Sequence, residues 1–283
     1  MKTILVPTDF STCANNAVEF AIQSSKILPV EVTIVHAFDL IGNTYTDYMG
    51  VNKEFNQSLL HEVRNKLAEV KKSIKESEGI TVDTHVSTAS LNESIFQVTN
   101  EKTIDMIVMG TAGASGLKEK LWGSKTAGII GKSQVPVMAI PLDYEWKKPS
   151  KILLATSHFE RESSMLNFIF ELANLYKAQV HVAVFTDEKD DTAFTFMEHS
   201  RNIPAYKKLL LEKYSATSIT ITHLFGKSFE EALQEHIRQN EIDMLVMVTH
   251  KRKFPDSLFH PNLTKRMAYH TKIPLLAIPA KFE

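Results

Sequence analysis

The chain repeats itself, and that repeat limits what it can fold into more than any other feature. TIDMIVMG at 103–110 answers EIDMLVMV at 241–248, and QVPVMAIP at 134–141 answers KIPLLAIP at 272–279. Both pairs lie 138 residues apart with no gap between them, which chance does not supply. The openings match too: KTILVPTDFS at 2–11 against SKILLATSHF at 150–159, an offset of 148. An insertion or deletion therefore separates each opening from the shared C-terminal block. The repeating unit is roughly 140 residues, so any fold proposed for one half must serve both. DYEWKKPSK at 143–151 is polar and carries Pro149, as a linker does, and the domains are expected at 1–145 and 150–283.

Within each half, short apolar runs alternate with segments of helical period. In the first half the strands are expected at Thr3–Val6, Glu31–Phe38, Ile80–Val86, Asp105–Met109 and Val135–Ile140. Ile80–Val86 is the least apolar and is placed nearer an edge. Ser11 is a plausible N-cap for a helix in which Ala14, Ala17, Val18, Ala21 and Ile22 share one face. A longer helix is expected over 53–77, a third over 95–100, and another after Ser124. The second half gives strands at 152–155, 180–185, 218–224, 244–248 and 273–278, with helices near 203–214 and 228–239. Alternating strands and helices predict an α/β fold: two tandem Rossmann-like domains, each a parallel sheet flanked by helices. Such sheets take ligands beyond the carboxyl ends of their strands, where strand order reverses.

Composition excludes several function classes. There are 32 Lys and Arg against 33 Asp and Glu, and no dense basic cluster, so nucleic acid and anionic membrane are not the expected partners. The single Cys13 rules out a disulfide framework within the chain, and it reads as an inert, partly buried thiol. No run approaches the ~18–20 apolar residues of a membrane span. A cytoplasmic protein is expected.

The chemistry is expected at GTAGASGLKEKLWGS, residues 110–124, which holds four of the chain's 10 glycines. Gly110 and Gly113 follow the fourth strand and permit backbone approaches that a Cβ forbids. Gly123-Ser124 sits at an expected helix start, where free N–H groups and the helix dipole favour phosphate. The pattern is G-x2-G-x9-G-S, neither a Walker loop nor GxGxxG. A bare glycine-rich turn is the competing reading, and the helix start at the ligand end of the sheet weighs against it. Asp9, in Pro-Thr-Asp-Phe-Ser, has two open readings: a ligand contact, or a residue of the strand-to-helix turn. His36, in an apolar strand, reads as a hydrogen-bonded core histidine rather than a catalyst.

This loop and the opening ILVPTDFS resemble the ATP-binding branch of the universal stress protein family, and the resemblance runs over nearly the whole chain as two tandem domains. It implies a five-stranded sheet of order 3-2-1-4-5 with ATP between the loop and the end of the first strand. It implies triphosphate contacts from Gly110, Gly113, Gly123, Ser124 and the Lys125 backbone. Asp9, after Pro7 and Thr8, would meet the ribose and adenine side. Ala37 would meet adenine through its backbone, and Met109 would lie beside the nucleotide. Mg²⁺ would accompany ATP if hydrolysis occurs. One departure is Ser87-Thr88-Ala89-Ser90, where members often carry a glycine after the third strand.

The second half has lost the motif. At the same offsets Gly110, Gly113, Gly123 and Ser124 become Val248, Lys251, Pro261 and Asn262, and Asp9 becomes Ser157. Pro261 also lacks the backbone donor a phosphate needs. No ATP is expected there. THKRKFPDSLFHPN at 249–262 is basic, and His158, His250 and His260 suggest either a metal or anion site or a solvated loop. Phe194, Phe196 and Met197 suggest a covered pocket, a partner surface, or packing onto the other domain. The fifth strands, near-identical, suggest an intramolecular pseudo-dimer paired edge to edge, with further homodimerisation left open. Nothing in the loop supplies a base for water or an arginine for transferring charge, so ATP binding with a signalling role is favoured over efficient catalysis. Slow hydrolysis or autophosphorylation, and a scaffold without nucleotide, remain the alternatives.

Overall fold

A computed structural model describes residues 1–38, 51–111, 124–156, 159–161, 163–188, 191–214, 218–249 and 261–280. The chain divides into two compact units, Met1–Gly110 and Thr111–Glu283.

The first unit holds β1 (Thr3–Thr8), α1 (Thr12–Ser25), β2 (Glu31–Ala37), α2 (Val51–Glu78), β3 (Asp83–Ser87), α3 (Leu91–Glu101) and β4 (Met106–Thr111), the last reaching one residue past the unit. Its strands lie in the order β3-β2-β1-β4, with β1 parallel to both β2 and β4. Ile4, Leu5, Val6, Ile107 and Val108 are fully buried, as their uninterrupted apolar runs require of a strand covered on both faces. Ser11 caps α1 by accepting from the Ala14 N–H at 3.3 Å. β3 starts at Asp83, later than the expected Ile80, and stands at the end of the order.

The second unit opens with α4 (Ser124–Ile130) and β5 (Val137–Pro141). It continues with β6 (Lys151–Thr156), α5 (Ser163–Tyr176), β7 (Gln179–Asp187), α6 (Ala193–Lys213), β8 (Ile219–Gly226), α7 (Phe229–Gln239), β9 (Met244–Thr249), α8 (Pro261–His270) and β10 (Leu275–Pro279). Its order is β5-β10-β9-β6-β7-β8. Read in chain order, the second half's own strands follow 3-2-1-4-5. All its pairs are parallel except β5 on β10, which run antiparallel with Met138 opposite Leu276.

One helix is longer than the sequence suggests. α6 begins at Ala193, not near 203, and runs through Pro204. A proline is usually confined to the first turn of a helix, yet Pro204 lies well inside this one. Thr192 caps the helix, accepting from the Thr195 N–H at 3.2 Å. Buried Tyr206 and Leu210 anchor the far end past the proline. Among the described residues no helix is long and apolar enough to cross a membrane.

Candidate functional site

β1 runs to β2 and β3 on one side, and the chain then crosses to β4 on the other. The crevice beyond the carboxyl ends of β1 and β4 is therefore the switch point of the first unit's sheet. Pro7 and Thr8 close β1, and Met109 and Gly110 stand near the end of β4. Met109 is 5% exposed and belongs to the core.

The turn after β1 is tightly held. Thr8 Oγ1 accepts from the Phe10 N–H at 3.0 Å, and Asp9 Oδ1 accepts from the Ser11 N–H at 3.1 Å. These bonds hold Phe10 at a φ of 61°, a left-handed conformation that costs a bulky residue of order 1–3 kcal/mol. Asp9 therefore takes part in the turn, and its carboxylate is exposed at the crevice. The Phe10 ring stacks on His36 of β2 at 4.7 Å, and Lys66 Nζ of α2 lies 5.9 Å from the Phe10 ring centre. Sequence reasoning singled out His36 as a core residue and missed this platform; Phe10 beside a strand end was the only signal.

Ala37 ends β2. The Glu31 N–H bonds to Lys2 O and the Phe38 N–H to Ser87 O, which sets the alternation along β2. By that alternation the Ala37 backbone faces β1, which stops at Thr8. Gly110 has a packing reason of its own: an added Cβ would stand 2.0 Å from the Cys13 carbonyl oxygen at the start of α1. Gly113 and Gly123 lie outside the described residues. Ser124 opens α4, and Lys125 next to it is exposed. After β3, Ser90 caps α3 in a reciprocal capping box with Glu93, so that helix start is satisfied by its own side chains. The Ser90 hydroxyl and N–H hold the Glu93 carboxyl below its ordinary value.

The corresponding strand ends of the second unit are packed with the chain's own rings. Phe159, shortly after β6, meets Tyr206 and His199 edge-on at 5.2 and 5.7 Å. Tyr206 donates its hydroxyl to Glu160 O at 2.7 Å; burial first, and then Glu160, push the phenol well above its ordinary value. Thr186 Oγ1 joins His199 Nδ1 and His223 Nε2, each at 2.8 Å, and Ser200 Oγ meets His223 Nδ1 at 2.9 Å. Phe194 and Met197 are 74% and 68% exposed, while Phe196 stacks on His223 at 4.5 Å. His158, His250 and His260 lie outside the described residues. Among the described residues no three His, Cys, Asp or Glu gather as metal ligands.

The Universal stress protein family has a sequence model that matches residues 1–141 and again 149–279. Among curated relatives, the chain is 31% identical over 153 residues to universal stress protein MJ0577 of Methanocaldococcus jannaschii, covering 49% of this chain and 94% of that protein. It is 25% identical to universal stress protein YxiE of Bacillus subtilis, over 48% of this chain and 97% of that one. Among solved structures, a universal stress protein from Archaeoglobus fulgidus superposes with a TM-score of 0.71 at 15% identity, covering 98% of both chains.

Proposed function

The chain belongs to the universal stress protein family, and from that premise we propose that its first repeat binds ATP and its second does not. The observation that carries the reading is the switch point. Asp9 follows β1 directly, and Gly110 stands one residue before the end of the adjacent parallel β4, so both border that crevice. Gly110, Gly113, Gly123, Ser124 and the Lys125 backbone take the phosphates. Pro7, Thr8 and Asp9 border the ribose, the Ala37 backbone meets the base, and Met109 backs the site from the core. The second repeat offers Val248 and a proline, Pro261, at the matching positions, and its strand ends are filled by Phe159, His199 and Tyr206. The repeats are read as 1–145 and 150–283, and the antiparallel β5–β10 ladder supports an intramolecular pseudo-dimer through the fifth strands. The role is nucleotide-dependent signalling in the cytoplasm, with ATP biasing one conformation.

Isothermal titration of the full chain with Mg-ATP, after removal of co-purified nucleotide, tests the reading. One site per chain is expected, weakened about 100-fold or more by Gly123→Val with the circular dichroism unchanged. Two sites would overturn the silent second repeat. No site, or an unaffected Gly123→Val, would overturn the ATP assignment.

A further inference from the structure

The two units expose different sheet edges. In the first unit the edge is β3, five residues long and opening on Asp83, which pairs with Lys102 at 2.9 Å. A short edge with a charge on it is a common guard against strand addition. In the second unit the edge is β8, eight residues reading ITITHLFG, with no Asp, Glu, Lys, Arg or Pro. No strand lies beyond it among the described residues.

Its outward groups can be named. The Val180 N–H bonds to Ser218 O at 3.1 Å and the Glu188 N–H to Gly226 O at 3.0 Å. A parallel ladder alternates, so residues 218, 220, 222, 224 and 226 direct their backbone groups at β7. The N–H and C=O groups of Ile219, Ile221, His223 and Phe225 therefore face away from the sheet. Beside the carboxyl end of this edge the apolar surface is unusually open: Phe225 is 51% exposed, and Phe194 and Met197 on the first turns of α6 are more so.

The charge around this edge is polar along its length. Exposed Glu188, Glu198 and Glu231 gather near the carboxyl end, with Lys227 among them. Exposed Lys207, Lys208 and Lys213 gather near the amino end, with Glu212 among them, and Arg201 lies between the groups. A strand laid antiparallel with the same charge polarity brings acid to base at both ends. A second copy of this chain is such a strand, and uncharged ITITHLFG opposes no like charges along the way.

We propose that two copies of the chain associate through β8, antiparallel about a two-fold axis near Thr222, extending the second unit's sheet across the dimer. Light scattering on the full chain reads the association, and hydrogen exchange of the Ile221, His223 and Phe225 amides locates it. The expected result is twice the mass of one chain, slow exchange at those three amides, and return to a single-chain mass in Ile221→Pro and Phe225→Lys. Proline at 221 removes only an outward donor, so the sheet keeps its internal ladder; Phe225→Lys covers the case in which the proline variant fails to fold. A wild-type chain that stays monomeric at about 100-fold above a micromolar affinity overturns the proposal and leaves the edge to an extended segment of another protein. So does a dimer whose outward amides exchange freely, which would place the interface elsewhere.

Discussion

The two repeats keep the same hydrogen bonds where they hold the sheet together and differ in the side chains beside them. Asp105 Oδ2 accepts from the Lys2 and Thr3 N–H groups at 2.6 and 2.9 Å; Asp243 Oδ2 accepts from the Ser150 and Lys151 N–H groups at 2.8 and 3.0 Å. Thr111 Oγ1 donates to Ile140 O at 3.3 Å, and Thr249 Oγ1 to Ile278 O at 3.2 Å. The aspartates, the threonines and their carbonyl partners are related by the offset of 138, and the N–H donors of the first strands by the offset of 148. One residue before that threonine the likeness stops. Gly110 packs against a carbonyl in one half, and buried Val248 replaces it in the other. The fold constrains the bonds that tie strands together at both ends and leaves the position beside them free to diverge.

Exchanging the residues at that divergent position breaks the comparison hardest. Gly110→Val forces two γ-carbons and a Cβ into the space of the Cys13 carbonyl, and overpacking of this kind costs about 3 kcal/mol. Val248→Gly empties a site that is 2% exposed and loosens a strand, for about 2–4 kcal/mol. Urea unfolding of the full-length variants measures both. If either swap leaves the midpoint unmoved, the two strand ends are interchangeable and their difference has no structural basis.

The aspartates differ in depth. Asp243 is 5% exposed and also receives the Ser150 hydroxyl at 2.6 Å and Lys147 Nζ at 2.6 Å. Burial alone would raise its carboxyl; the Lys147 ammonium, the Ser150 hydroxyl and the two N–H groups outweigh this and hold it below the ordinary value. Asp243→Ala strands two N–H groups and should cost about 2–3 kcal/mol, against roughly half that for the more open Asp105→Ala. Equal losses in urea unfolding would show that burial does not set the difference. A depressed carboxyl contributes stability above its unfolded value, and that share is lost only as pH falls below about 4.

Much of this was legible in the sequence because it follows from repetition and period. The offset of 138 gave two copies, the apolar runs gave the strands, and Ser11 read correctly as a cap because the N–H it accepts from and the following helical face lie within a few residues. The paired aspartates sit inside the matched IDM triplets, yet nothing local says that each reaches back to the first strand of its own half, more than 90 residues away. Phe10 on His36, the Cys13 carbonyl against Gly110, and the Thr186 histidine network were illegible for the same reason: each joins residues of different elements that only the fold brings together. α6 was expected only near 203–214, and its extension back to Ala193 depends on a cap and anchors at its two ends.

Acid separates the halves more gently. Burial lowers His181, His223 and His236, and neighbouring charge adds to it: His236 and Lys151 act on His181, and His199 on His223. The Nε2 atoms of His181 and His236 are buried without a hydrogen-bond partner among the described residues. Their folded values lie below the ordinary 6.5. The unfolded chain therefore binds more protons as pH falls through that value, and stability drops with it. Between pH 7.5 and 5.5 the urea midpoint should fall, and hydrogen exchange should show the loss in β7, β8 and α7. His236→Leu, which removes one of these groups, should flatten the slope; an unchanged slope would detach the acid response from this pair.

The smallest effect tests the likeness rather than the difference. Thr111→Val and Thr249→Val keep shape but remove a donor whose residue is 1% exposed in one half and 6% in the other. Each loses one neutral hydrogen bond to a carbonyl, worth about 1 kcal/mol. Because the two sites share no partner, the double variant should lose close to the sum, within about 0.5 kcal/mol. Equal single losses would mean that the strand-four hydroxyl holds strand five in the same way in both repeats. A loss confined to Thr111 would mean instead that β5 depends on a bond that β10 can do without.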